Sequence, residues 1–450
     1  DWGFNGFVVS DWDATKYMDD AAICINSGLS LEMPRPHCYK LQTLKDAFEK
    51  REFSEYRLND LVKRFLRMFF LAGIMDPSTN EADSKGALNE HPNLARRIAE
   101  EGMVLLKNER GLLPINLEKI QKLALLGPNL DMRFGKPQYG GSSAVVPPYE
   151  ITPLEGIRER CQTKVTIVSD ASKADLAIVF AGLNHDRGMD AESADRDSFD
   201  LPDTQVKLIK ETVEENPSTV VVLVSGSPVG MENWIEEVPA VLEAWYPGME
   251  GGRAIANIIF GDVNPSGKLP ITFPRRLVDS PAHSVKGSRT YPGDSHHRVY
   301  YDEGFNVGYR FFDAMNIEPL FPFGFGLSYT EFKYTNFRIN KSRMKGMSDQ
   351  LIAFVDVINT GPIKGSEVIQ VYSSEIQGVI QKSPKELVGF GKTSLMPHET
   401  ISIAIPIHGR DFSYYDAKNH EWRAASGEYE LLVGDSSRCK FLSETIVCSD

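Results

Sequence analysis

With 450 residues, 42% of them hydrophobic and 10% aromatic, the chain is too long for one ordinary core; roughly two to four globular domains are expected. A formal net charge of −13 argues against a phosphate-binding surface and so against nucleic-acid partners. No run approaches the ~18 consecutive apolar residues that would cross a bilayer, whereas a neutral, polyhydroxylated ligand would be indifferent to the charge.

Asp1 is not an initiator methionine and the segment after it reads as a strand, so an amino-terminal portion is expected to lie outside this sequence. Any targeting signal would go with it, which leaves localisation open. The first element is the apolar run Gly6-Phe-Val-Val-Ser-Asp-Trp12, read as a buried strand that delivers a carboxylate, Asp11, and an indole, Trp12, to its carboxyl end. Such a pairing suits a sugar site. A strand ending in Ser-Asp equally starts a turn or caps a helix.

A buried helix is expected over 13–27, a short extended piece over 29–33 stopped by Pro34, and an amphipathic helix over 56–74. The order is that of the last strands and helices of a β/α barrel, over residues 1–75. Polar residues without apolar periodicity make 76–92 a linker, followed by a helix over 93–105.

Unbroken apolar runs at 123–126, 176–180, 220–224 and 241–245 alternate with helical segments at 204–214 and 251–260. That pattern predicts a parallel sheet covered on both faces, an α/β sandwich over 93–275. A connector rich in aromatics, Pro and Gly occupies 276–330 and is expected to pack as extended chain over a neighbouring domain. From 331 to 450 the pattern is all-β, with alternating strands at 351–357, 367–372, 400–407 and 429–433 separated by turn signals, as in an immunoglobulin or fibronectin module.

The five cysteines, Cys24, Cys38, Cys161, Cys439 and Cys448, show no metal-ligand spacing and read as buried free thiols, with a Cys439–Cys448 hairpin bridge as the alternative. Adjacent His296 and His297 have no third ligand at a suitable spacing, and no glycine-rich phosphate loop stands between a strand and a helix. No metal and no cofactor are expected.

A glycosidic bond is cleaved by two carboxyl groups, so Asp11 needs a partner. The acidic loop Gly182-Leu-Asn-His-Asp-Arg-Gly-Met-Asp-Ala-Glu-Ser-Ala-Asp-Arg-Asp-Ser-Phe-Asp-Leu-Pro202 follows an apolar strand, where α/β sheets hold ligands. It contains Glu192 among Asp190, Asp195, Arg196 and Asp197. Solvated carboxylates paired with Arg187 and Arg196 are the plainer reading of that loop.

These segments together resemble the carboxyl-terminal three-quarters or less of a glycoside hydrolase family 3 enzyme of the β-glucosidase type. The resemblance rests on Ser10-Asp11-Trp12, Gly28-Leu-Ser-Leu-Glu-Met-Pro34, Gly140-Gly-Ser-Ser143, Pro147-Pro-Tyr149, Pro153-Leu-Glu-Gly156, Trp245-Tyr-Pro-Gly-Met-Glu-Gly-Gly252 and Gly261-Asp-Val-Asn-Pro-Ser-Gly-Lys-Leu-Pro270. Gly308-Tyr-Arg310, Pro322-Phe-Gly-Phe-Gly-Leu-Ser-Tyr329, Asn359-Thr-Gly361 and Lys385-Glu-Leu-Val-Gly-Phe390 continue it in order.

It implies a retaining, exo-acting β-glycosidase with Asp11 as nucleophile, Glu192 as acid/base and Trp12 against the sugar. Asp11 would stay ionised, while neighbouring carboxylates and partial burial would raise Glu192. The site would lie between two domains, with the 300–330 connector clamping them. The implied substrates are β-linked glucosides or short oligosaccharides, and a homo-oligomer is left open.

The sequence departs from the family pattern at Asp190 (Glu), Ser193 (Gly), Ser30 (Asp) and Phe325 (His). Most barrel strands, which in this family bring the residues holding the sugar, would precede Asp1, so the chain alone is expected to be inactive and prone to aggregate without that segment. β-Xylosidase or α-L-arabinofuranosidase activity in the same family, and a non-catalytic carbohydrate-binding or scaffold chain, are the alternatives.

Overall fold

The computed structural model describes residues 3–18, 20–76, 84–135, 144–192, 194–283, 293–296, 298–378 and 382–449. They divide into two compact units, Asp1–Asn89 and Glu90–Asp450, each described by itself.

In the first unit β1 (Val8–Val9) pairs in parallel with β2 (Leu29–Leu31), with Val8 opposite Leu29 and Val9 opposite Leu31. Around them stand α1 (Ala21–Ser27), α2 (Leu41–Glu49) and α3 (Glu55–Leu71). Asp20 caps α1 by accepting the N–H groups of Ala22 (2.8 Å) and Ile23 (3.1 Å), and Gly28, at φ 106°, ends it in the left-handed region that a Cβ disfavours. The core is small: Ala22, Ile25, Ala47, Phe53 and Leu61.

Three expectations are corrected here. The helix expected over 13–27 is a 3-10 turn at Ala14–Tyr17 followed by α1, because Asp13 takes φ 56° and Asp20 opens a new helix. The buried strand is half exposed, Val8 at 47% and Val9 at 48%, since a two-stranded sheet cannot cover both its faces. The expected linker is helical in its second half: α4 spans Ser84–Gly102, and 77–83 lie outside the described residues.

Pro92 sits inside α4 and costs about 3 kcal/mol in a helix interior. The turns after it are held by Ala99, which is buried, and by Glu100, which accepts from Asn257 Nδ2 at 2.6 Å. The helix also stops at Gly102, short of the expected 105. Val104, Leu105 and Leu106 are fully buried in a strand instead, because a short apolar run fits either period until the sheet claims it.

In the second unit β3 (Val104–Asn108), β4 (Lys122–Leu126), β5 (Thr166–Val168), β6 (Leu176–Gly182), β7 (Thr219–Val224) and β8 (Ala240–Glu243) form, among the described residues, one six-stranded sheet of order β3-β8-β7-β6-β4-β5. All pairs are parallel except β3 with β8. Side chains alternate between the two faces: Ile178, Phe180 and Val222 join Ile157, Ile255 and Ile259 on one side, while Val179 and Val221 join Ile209 and Trp234 on the other.

The helices are α5 (Pro153–Cys161), α6 (Asp203–Glu215) and α7 (Gly251–Ile259). α5 and α7 touch at glycines, where a Cβ on Gly156 would sit 2.1 Å from the Gly252 carbonyl oxygen.

The connector is only partly extended, for α8 (Tyr309–Ala314) interrupts it. Phe321 bridges Phe273 in the sheet domain's core, and Tyr329 Oη donates to the Ile258 carbonyl at 2.9 Å. On the other side Tyr309 Oη accepts from Leu387 N at 2.7 Å, and Arg438 Nε bonds Asp313 at 2.7 Å.

The all-β region holds β9 (Phe332–Ile339), β10 (Arg343–Lys345), β11 (Gln350–Asn359), β12 (Gly365–Gly378), β13 (Glu386–Leu395), β14 (Thr400–His408), β15 (Ser413–Asp416), β16 (Glu421–Ala424), β17 (Gly427–Gly434) and β18 (Leu442–Ser449). Sheets β10-β18-β17-β12-β13 and β14-β11-β9 enclose Leu351, Ala353, Val355 and Val357, the alternate residues of β11. All five cysteines are free thiols, so Cys439 and Cys448 form no bridge.

Candidate active site

Because β1 and β2 are parallel, the segments leaving their carboxyl ends run side by side. Ser10 N donates to the Leu31 carbonyl (3.0 Å), Ser10 Oγ accepts from Met33 N (2.9 Å), and Asp13 N donates to the Met33 carbonyl (3.1 Å). Asp11 stands at this end with its Oδ1 accepting from Trp12 N at 2.6 Å. Both residues are exposed, Trp12 at 66%, so within this unit the indole is no core residue.

Behind them lies a carboxylate that the sequence reading passed over. Glu32 Oε1 accepts from Thr15 Oγ1 (2.5 Å), His37 N (2.9 Å) and Cys38 N (3.0 Å), and Oε2 accepts from Tyr39 N (2.8 Å). Burial pushes this carboxyl up, but the Thr15 hydroxyl and the three backbone N–H groups outweigh it and hold the pKa at about 2. His37 Nε2 lies 2.9 Å from Asp13 Oδ1, and that contact, its largest influence, lowers Asp13. Among the described residues Ser30 Oγ is buried without a hydrogen-bond partner, at the position where the family pattern has Asp.

In the second unit the acidic loop leaves β6 at Gly182, whose backbone N–H and C=O both bond the Gln205 side chain (2.8 and 3.0 Å). The chain order about the sheet changes direction between β4 and β6, the position where open α/β sheets form a crevice beyond their carboxyl ends. Phe134 follows β4, His185 follows β6 and Tyr246 follows β8, and these residues with Glu150, Val145 and Met249 line a cleft of about 310 Å³. The Tyr246 ring lies 4.6 Å from His185 and 5.3 Å from Phe134.

Asp190 anchors the loop beside this cleft. Its carboxylate accepts from Gly226 N (2.9 Å), Tyr246 Oη (2.8 Å) and Ser227 Oγ (3.2 Å), with Arg196 Nε at 3.8 Å. Arg196 in turn donates to Ser227 Oγ (3.1 Å) and the Pro228 carbonyl (3.0 Å). Ala191 and Ala194 pair as an isolated bridge, which puts Glu192 on the tight turn between them; Ser193 lies outside the described residues. Glu192 is exposed, so the partial burial expected for it is not found within this unit.

Burial raises the Tyr246 phenol, with Asp190 adding to it. The fully buried Glu243 is raised well above the ordinary carboxylate range, first by burial and also by the nearby Asp190. Sequence reasoning named Asp190 and Arg196 in the acidic loop but missed Tyr246, Ser227 and Glu243 as their surroundings. The available signals were Trp245-Tyr-Pro-Gly and the Ser-Gly-Ser that follows β7.

Asp11 and Trp12 belong to the first unit and Glu192 to the second. Among the described residues no three His, Cys, Asp or Glu side chains group as metal ligands; His297 lies outside those residues.

A doubly covered, mostly parallel sheet carrying an acidic loop, joined to a β-sandwich, is the architecture of a multidomain α/β plus all-β protein. The sequence matches the Glycosyl hydrolase family 3 C-terminal domain over residues 103–329 and a Fibronectin type III-like domain over 367–437. The chain is 38% identical to Thermostable beta-glucosidase B of Acetivibrio thermocellus over 99% of its length and 59% of that protein's. Against Beta-glucosidase BoGH3A of Bacteroides ovatus the values are 32%, 97% and 63%.

The solved structure of a GH3 beta-glucosidase from Bifidobacterium adolescentis superposes with a TM-score of 0.85 at 30% identity, covering 100% of this chain and 65% of that one. The chain belongs to glycoside hydrolase family 3. It spans less than two thirds of the length of these relatives.

Proposed function

We propose that the chain is the carboxyl-terminal portion of a retaining, exo-acting β-glycosidase, with β-glucosides as its substrates. The observation that carries this is the Ser10-Asp11-Trp12 segment at the carboxyl end of β1, side by side with the end of β2, in a chain of this family. On this reading residues 1–75 are the last part of a (β/α)8 barrel, and its other strands come from sequence ahead of Asp1.

Asp11 attacks the anomeric carbon while Glu192 gives its proton to the departing glycosidic oxygen, leaving a glycosyl ester on Asp11. Glu192, now ionised, takes a proton from water, which attacks the anomeric carbon and frees Asp11. Trp12 offers its exposed indole to the sugar ring. The loop anchoring by Asp190, Ser227 and Tyr246 supports Glu192 in this role by tying its turn to two neighbouring strand ends.

The test is kinetic, on the chain joined to its amino-terminal barrel. Asp11→Ala and Glu192→Ala should each lower turnover of a nitrophenyl β-glucoside by several orders of magnitude, with azide restoring part of the Glu192→Ala loss. Near-normal turnover in either variant removes that residue from the mechanism. A panel of nitrophenyl glucosides, xylosides and arabinosides then fixes the sugar. The chain without its barrel should be inactive.

A further inference from the structure

Beneath the Asp11 segment, in the first unit, two cysteines face each other. Cys24 lies on α1 and Cys38 in the turn after β2, and their sulfurs are 3.3 Å apart. Both are nearly excluded from solvent, at 3% and 1% exposure. A disulfide requires sulfurs at about 2.05 Å, so the pair must close by about 1.3 Å. Met18 Sδ, 3.9 Å from Cys24 Sγ, and Glu32 Oε1, 3.4 Å from Cys38 Sγ, complete the surroundings.

The geometry points to Cys24 and Cys38 as a reversible dithiol–disulfide pair, a covalent staple between α1 and the 37–39 turn. This inference rests on no assignment of activity. The co-reactant is a small disulfide such as oxidised glutathione, admitted when the 37–39 turn opens locally away from α1. Cys24, its proton given to solvent, attacks one of its sulfurs as the thiolate and releases one glutathione thiolate; Cys38 attacks the mixed disulfide at the Cys24 sulfur, its proton passing to the second departing glutathione thiolate. Two protein thiols lose two hydrogens and the oxidant gains them.

Burial, together with the contacts to Cys24 and Glu32, pushes the Cys38 thiol well above its ordinary range, so Cys38 attacks only as its proton passes to the departing glutathione. Oxidation removes the Cys38 S–H donor from Glu32 but leaves Thr15 and the three backbone N–H groups in place. Through Glu32 and Thr15 the staple reaches the turn that follows Asp11.

The experiment uses the chain joined to its amino-terminal barrel, incubated with oxidised or reduced glutathione, then denatured, labelled with maleimide and digested. Oxidation should hide the thiols of Cys24 and Cys38, and dithiothreitol should return them. Trypsin spares the Arg35–Pro36 bond, so one peptide, 17–40, carries both cysteines and should be two hydrogens lighter. Cleavage after Glu32 should leave its halves joined until reduction. Cys24→Ser or Cys38→Ser should abolish the loss, while Cys161→Ser should keep it. Full labelling of Cys24 and Cys38 after oxidation, a stable glutathione adduct alone, or a bond from either of them to another cysteine would overturn the proposal. The peptide map of the unmodified sequence decides this even if a serine variant fails to fold.

Discussion

Replacing Glu32 by Gln should loosen the turn that backs the Asp11 segment, and the structure sets the size of the effect. Glu32 is 8% exposed, and its four donors carry its pKa from an ordinary 4.5 down to about 2. At 1.36 kcal/mol per pKa unit that corresponds to roughly 3 kcal/mol of stability as an upper bound. Because the folded value is the depressed one, this stability is fully present above about pH 4.5 and is lost as the pH falls through about 2.

Gln keeps the shape but puts an NH₂ group against an N–H donor, either Tyr39 N or the cluster of Thr15, His37 and Cys38. A buried donor left unpaired costs about 1–3 kcal/mol. The assay is hydrogen exchange by mass spectrometry across 33–40 at neutral pH. A loss of that size speeds exchange of the 37–39 amides by roughly 5- to 150-fold, at 1.4 kcal/mol per factor of ten. On acidification the wild type should lose protection between about pH 4.5 and 2 while the variant, with no carboxylate there to protonate, changes little. Equal protection in both proteins at neutral pH, or identical acid limbs, would refute the reasoning.

Glu243 behaves in the opposite sense: its folded pKa is raised, so it weakens the fold as pH climbs above 4.5. Glu243→Gln keeps an acceptor for Trp245 N and a partner for Ser225, and should raise the urea midpoint at pH 8 while leaving it unchanged near pH 4. The Lys268–Glu367 pair ties the sheet domain to the β-sandwich at 3.0 Å, with side chains 11% and 5% exposed, and Tyr334 Oη also donates to Glu367. Glu367→Ala strands the lysine and should cost about 3–5 kcal/mol in urea unfolding, whereas the double replacement by Met should cost less. A double variant as damaged as the single would mean the charge is not the issue.

The sequence alone determined the elements whose pattern is dictated by burial. β6 and β7 are covered on both faces and therefore read as unbroken apolar runs; β11 buries every second side chain and therefore alternates. α6 and α7 carry a one-sided apolar stripe that survives any local context. Asp11 and the acidic loop were legible for a related reason, since each follows an apolar strand directly and chemistry-bearing residues at a strand's end stand out in one dimension.

What tertiary structure decided is everything that depends on a distant partner. Val104 and Leu105 became strand and not helix because β8, more than a hundred residues later, pairs with them, with Leu106 at the register shift before Lys107, and α4 runs through Pro92 because its later turns dock on the sheet domain. The acidic loop was visible, but its anchors at Gly226 and Tyr246 lie 36 and 56 residues from Asp190 and share no pattern with it. Glu32, Cys24 and Cys38 read as ordinary residues until the chain turns back on itself. Periodicity records which face of an element meets the core; it carries no record of which other element waits there, and that is where hydrogen bonds, pKa values and thiol pairs are set.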